Sequence, residues 1–230
     1  SSLTFSWSAP TDTQTASAGL SYNLRVGTTP GGSDVYASMA NTSNGRRRVS
    51  QRGPIQGTSY TLKGLTAGQT YYWSVQAIDT NFAGSAFASE STAGINAAPT
   101  AVSASPNPAS IAENTSTGSR VKVADITITD DGRGTNSLSV TGTDQASFEI
   151  IGTELFVKSG VTLNFEAKAS YSVTINVDDA SVGSNPDAST NFTLNVTDVN
   201  EAPTAVTLQN TTTSLAEDAN TAAAIKLADI

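Results

Sequence analysis

Hydrophobic positions in this chain recur at every second residue, and helical spacing is nearly absent. Tyr71, Trp73, Val75 and Ala77 alternate with Tyr72, Ser74 and Gln76. Tyr171, Val173, Ile175 and Val177 alternate with Ser172, Thr174 and Asn176, and Phe192, Leu194 and Val196 continue the pattern. Successive side chains of a strand point to opposite faces, so these runs predict strands with one face in a core. The runs are short and are separated by Gly, Asn, Asp and Pro, as in antiparallel sandwiches. The expected fold class is therefore all-β, in tandem antiparallel β-sandwiches. The same alternation places Trp73 in a core rather than on a sugar-stacking surface.

A repeat divides the chain. Residues 98–126 align with 202–230 without a gap, at an offset of 104 residues and with 13 of 29 positions identical. APTAV meets APTAV, SIAEN (110–114) meets SLAED (214–218), and VKVADI (121–126) meets IKLADI (225–230). A fixed period marks tandem structural units. The expected units are 1–95, 96–201 and the start of a second repeat at 202–230. The last is too short to bury a core and is expected to be frayed or packed on a neighbour.

Composition narrows the chemistry. The chain has no Cys and no His, which excludes thiolate or imidazole zinc sites and a Ser-His-Asp triad within it. The formal charge of −8 comes from the part after residue 95, since the first 95 residues carry a small positive balance. An acidic second half argues against nucleic acid and suits hard cations, which take oxygen ligands. No stretch has the length of a transmembrane helix. The opening SSLTFSW has no Met, basic segment or apolar segment of a signal peptide, so a piece of a longer protein is expected.

The first unit resembles a fibronectin type III domain through LTFSW (3–7), YNLRV (22–26) and LTAGQTYYWSVQA (65–77). Leu65 and Tyr71 stand at the spacing of that family's tyrosine corner. The repeat unit resembles a bacterial cadherin-like domain. IAEN (111–114) is similar to the family's early Glu motif and TDDGRGTNSLSV (129–140) to its Asp-rich turn. LNFEAKASYSVTINVDD (163–179) and DVNEAP (198–203) are similar to its Leu-Asp-Arg-Glu segment and its linker. The resemblance implies Greek-key, immunoglobulin-like sandwiches in an elongated array, with Ca2+ as the cofactor.

It also implies two half-sites. At the far end of the repeat, Glu113, Glu166, Asp198 and Glu201 would supply carboxylates and Asn200 a carbonyl. At the near end, Asp130, Asp131, Asn136 and Asp178 or Asp179 would face the preceding unit. Asn164 stands where the family has Asp, Glu201-Ala202 replaces an Asp-Asn pair, and Asp130 and Asp131 are adjacent instead of alternating. These departures imply fewer or weaker ions. The twin junction GINAAP (94–99) has Gly94 and Ala97 where DVNEAP has acids, so it is expected to bind calcium poorly or to bend.

Other features have plainer readings. GRRRVSQR (45–52) could meet acidic glycans or lipopolysaccharide, but such a run is more often an exposed loop or edge strand. The Asn-x-Ser/Thr sequons at Asn41, Asn114, Asn191, Asn195 and Asn210 are what so Ser/Thr-rich a chain contains by chance. Glu113 and Glu166 could in principle act as a glycosidase pair, but they belong to a domain end rather than a cleft. The expectation is a non-catalytic segment of a large secreted or cell-surface bacterial protein: a calcium-stiffened stalk, adhesin, filament or surface-layer component. Its partners would be other sandwich domains of the chain, copies of itself or cell-surface polysaccharide. The alternative is an accessory glycan- or protein-binding module of a large secreted enzyme. The two unlike ends could also complement each other between chains by strand addition, but an arbitrary boundary is the favoured account.

Overall fold

The computed structural model describes residues 1–230 apart from Arg48 and Thr221. The first unit opens with β1 (Ser2–Ser6), β2 (Ser21–Gly27), β3 (Ser59–Lys63), β4 (Thr70–Ile78) and β5 (Ser91–Gly94). β1 pairs antiparallel with β3, and β2, β4 and β5 form a second antiparallel sheet in that order. Phe5, Tyr22, Leu24, Val26, Leu65 and Tyr71 meet between them in one core. Trp73 packs on that core with its ring 5.1 Å from the ring of Phe5.

The alternation fails in one informative place. All seven residues of β2 are buried, including Ser21, Asn23 and Arg25 on the face expected to meet water. Segments from the loop between β2 and β3 and from the loop after β4 cover that face and satisfy its polar groups. Asn23 donates from Nδ2 to Gln76 Oε1 at 3.1 Å and accepts the Met39 N–H at 2.9 Å. Gln76 donates to the carbonyls of Gly45 and Ser85, both at 2.6 Å. Arg25 pairs with Glu90 at 2.8 Å. Burial of this polar row is tolerable because each side chain named here finds a partner, although Arg25 Nε has none. The basic segment 45–52 lies in that covering loop, with Arg46 and Arg52 exposed. Arg47 donates to the carbonyl oxygens of Phe82 and Gln51, and Arg48 lies outside the described residues.

The second unit comprises β6 (Ala101–Pro106), β7 (Ser110–Ala112), β8 (Val121–Thr129), β9 (Ser137–Thr141), β10 (Phe148–Ile151), β11 (Glu154–Val157), β12 (Ser170–Asp178) and β13 (Ala188–Thr197). One sheet has the order β10-β11-β8-β6 and the other β7-β13-β12-β9. Every pairing is antiparallel except β13 with β7. The consecutive strands β6 and β7 thus lie in different sheets. Tyr171, Val173, Ile175 and Val177 of β12 face inward beside Phe192, Leu194 and Val196 of β13, and Val123, Leu155 and Val157 close the core from the other sheet. Among the described residues beyond 201 there is one isolated bridge, Gln209 with Asp229, and Val206, Leu208, Leu227 and Ile230 are exposed.

The corner before β4 yields a test. The Tyr71 hydroxyl oxygen accepts the Thr66 N–H at 2.8 Å, while the ring is 3% exposed. Tyr71→Phe keeps the ring and orphans a backbone donor, which costs about 1–2 kcal/mol. Urea unfolding of the first unit should show that loss, with the denaturant slope unchanged.

Candidate metal centre

The parallel pairing of β7 with the end of β13 sets Asn195, Val196 and Thr197 opposite Ser110, Ile111 and Ala112. Glu113, the next residue, donates its N–H to Thr197 O at 3.1 Å and so lies against the start of the 198–201 linker. Its carboxylate accepts the Val199 N–H at 2.7 Å on Oε1 and the Phe165 N–H at 2.8 Å on Oε2. Glu166 follows in a turn held by Asn164, whose side-chain oxygen accepts the Ala167 N–H at 2.7 Å and whose carbonyl accepts the Lys168 N–H. Asn164 therefore shapes the turn that presents Glu166.

Glu113, Glu166, Asp198 and Glu201 each place a carboxylate oxygen within 4.8 Å of the others. Among the described residues these are the one such group, and none of the ion pairs there includes any of the four. Asn200 lies exposed between the two linker acids. The electrostatics follow from the geometry. The Phe165 and Val199 N–H groups hold the Glu113 carboxyl below the usual range. Burial pushes the Glu201 carboxyl up, and the negative charges of Glu113 and Glu166 push it further. Four acids are packed together with no cation of the chain among them.

The near-end acids do not gather as the far-end four do. Asp130 Oδ2 accepts from Asn136 Nδ2 at 2.9 Å and from the Gly132 N–H. Asp131 pairs with Arg133 at 3.2 Å and accepts the Ala97 N–H at 3.1 Å. Burial works to raise the Asp131 carboxyl, but the Arg133 and Ala97 N–H groups and the guanidinium outweigh it and hold it low. Asp178 sits at the end of β12 opposite Ser137. Asp179, 2% exposed, accepts from Asn96 Nδ2 at 2.9 Å and from Ser181. Three buried oxygens at this end, Oδ1 of Asn96, Asp130 and Asn136, have no hydrogen-bond partner. Asn96 and Arg133 were not singled out from sequence. The shared frame of GINAAP and DVNEAP, which sets Asn96 opposite Asn200, is the signal that could have found Asn96.

Residues 1–93 match the model of the fibronectin type III domain. Over those residues the first unit is similar to a fibronectin type III domain. No curated protein matches the chain. Among solved structures, protocadherin gammaB7 EC3–6 is 21% identical with a TM-score of 0.43, over 83% of this chain and 41% of that one. Chicken VE-cadherin EC1–2 is 14% identical with a TM-score of 0.46, over 85% and 92%. Mouse PcdhgC3 EC1–3 is 20% identical with a TM-score of 0.40, over 78% and 55%. At these values the ion-binding reading of the repeat rests on the chain's own residues.

The charge cluster has a pH signature. A carboxyl whose folded pKa is raised binds protons more readily folded than unfolded, so its contribution favours folding as pH falls toward that pKa. Glu201 is of this kind, whereas Glu113 stabilises above its unfolded pKa and loses that contribution as pH falls through its lowered folded value. In chelator, Glu201→Gln should raise the melting temperature of the second unit at neutral pH, because it removes repulsion. Glu113→Gln should lower it. Melting curves of the two variants in chelator check the opposite signs.

Proposed function

We propose that the chain is a non-catalytic structural or adhesive segment of a large secreted or cell-surface bacterial protein, in which calcium stiffens a tandem array of β-sandwiches. Its units are 1–95, 96–201 and the beginning of a further repeat at 202–230. Such a segment serves as a stalk, adhesin, filament or surface-layer component, and its partners are neighbouring sandwiches of the chain or of other copies. Fibronectin type III and cadherin domains are typically extracellular modules, and no helix among the described residues is long and apolar enough to cross a membrane.

One observation carries this reading: four carboxylates from three separate segments converge at the end of the second unit, without a cation of the chain. The set fits calcium. The ion takes six to eight oxygens at about 2.3–2.6 Å, so two ligand oxygens on opposite sides of it stand about 4.8 Å apart. The four oxygens lie within that span. Magnesium, at about 2.0–2.1 Å and in strict octahedra, suits the cluster less well. Glu113, Glu166, Asp198 and Glu201 would hold the ion, with Asn200 beside them. Bound there, it would supply the positive charge that draws the linker, the β7 turn and the 165–167 turn into one rigid end. At the near end Asp130, Asn136 and Asp178 or Asp179 offer oxygens to a second, weaker site. The unpartnered oxygens of Asp130 and Asn136 support that assignment.

An ion that binds the folded state alone adds RT ln(1 + [L]/Kd) to stability, about 2.7 kcal/mol at a hundredfold excess over Kd. Calcium should therefore raise the melting temperature of the second unit, with magnesium doing so less. Asp198→Asn combined with Glu166→Gln should abolish the calcium shift while leaving the chelated protein folded. An identical melting temperature in calcium and chelator would mean that the cluster is solvated surface charge.

A further inference from the structure

The first joint contains a cation of its own. Arg133, in the turn between β8 and β9, reaches across to the fibronectin type III-like unit. Its Nη2 donates to Thr70 Oγ1 at 2.6 Å, and its Nη1 stands 3.5 Å from Gly68 O. The same guanidinium pairs with Asp131 of its own unit at 3.2 Å. This pair is largely shielded, with side chains 29% and 13% exposed. Asp131 in turn accepts the Ala97 N–H from the linker, and Asn96 is tied to Asp179 and Ser181. On the other side, the Gly68 N–H donates to Ile95 O and the Ile95 N–H to Gln69 O. The linker between the units is thus hydrogen-bonded to both.

Gly94 makes this possible. A Cβ at that position would stand 2.5 Å from Arg133 Nη2, so a side chain there and the guanidinium exclude each other. DVNEAP has Asp198 at the position that Gly94 holds in GINAAP. Where the second linker presents a carboxylate, the first presents space, and Arg133 fills it.

We propose that Arg133 is an intramolecular strut at the first joint, a guanidinium held between Asp131 and Thr70 that fixes the two units without an added ion. In place of the bend that the missing linker acids suggest, the first joint is stiff in the absence of calcium. A planar fork of donors suits this role, since it can bond Asp131 and Thr70 at once in fixed directions.

The chain has no Cys, so two labels can be placed cleanly. Spin labels on Lys63→Cys and Ser139→Cys, both exposed, report the distance between the units by pulsed electron resonance. The expected wild-type distribution is narrow and the same in chelator and in calcium. Arg133→Ala should widen it roughly twofold in both conditions, as a packed joint becomes a free hinge, with the melting of each unit unchanged. If Arg133→Ala does not fold, Thr70→Val decides, because it removes the inter-unit hydrogen bond and leaves the pair with Asp131; it too should widen the distribution. A wild-type distribution that is broad in chelator, or one unaltered by the deciding variant, overturns the proposal. The labels span only the first joint, so the result is independent of calcium at Glu113.

Discussion

The carboxylate of Glu113 is where the second unit comes together at its far end. Two backbone N–H groups, from Phe165 and Val199, converge on its two oxygens. They come from segments far apart in sequence, and each would lack a partner if the acid were removed. The contact depends on β7 lying parallel to β13, because only that register carries residue 113 past the end of the sheet beside the linker. Once Glu113 is fixed, Glu166, Asp198 and Glu201 are brought close to it by the segments it binds. The arrangement organises a fold end and concentrates negative charge in one step.

That concentration has a cost and a use. In water, carboxylates a few ångströms apart repel one another, and that repulsion adds to burial in raising the affinity of Glu201 for a proton. The same repulsion favours any divalent cation that can touch several oxygens at once. On the proposed reading, the cluster is loosely held when bare and firm when it holds an ion, so stiffness at that end follows ion concentration. At the first joint a covalently attached charge, Arg133, stands between Asp131 and Thr70 of the neighbouring unit.

The strands of the second unit were legible because one face of each is buried and the other wet. Tyr171 to Ile175 and Phe192 to Val196 keep the period of two that the core requires, and Asn176 alone on the outer face of β12 is buried as well. The first unit was less legible on the outer face of β2. Ser74 and Gln76 read as solvent-facing, yet loop segments bury them together with Asn23 and Arg25, and no local pattern encodes which distant loop will lie over a sheet. The far-end acids could be named from motifs in order along the chain. Arg133 could not, since its meaning depends on Thr70 and Gly94, which lie in the preceding unit and in no motif with it. Asp131, which the resemblance makes a cation ligand, is paired with the Arg133 guanidinium.

The two linkers share a frame and differ where it matters electrically. At one, acids stand at 198 and 201; at the other, the corresponding residues are Gly94 and Ala97. Losing two carboxylates from a linker would by itself leave the nearby acids of the repeat without a shared counterion. The structure avoids that outcome locally: Asp131 is neutralised by Arg133, Asp179 is hydrogen-bonded by Asn96 and Ser181, and Asp130 by Asn136. A repeat abutting a unit of another type cannot draw matching ligands from it. It can use a hydroxyl and a carbonyl, which nearly any β-sandwich end offers, provided that it brings its own positive charge. Arg133 bonding to Thr70 and approaching Gly68 O meets that condition, and the small residue at 94 is the space it requires.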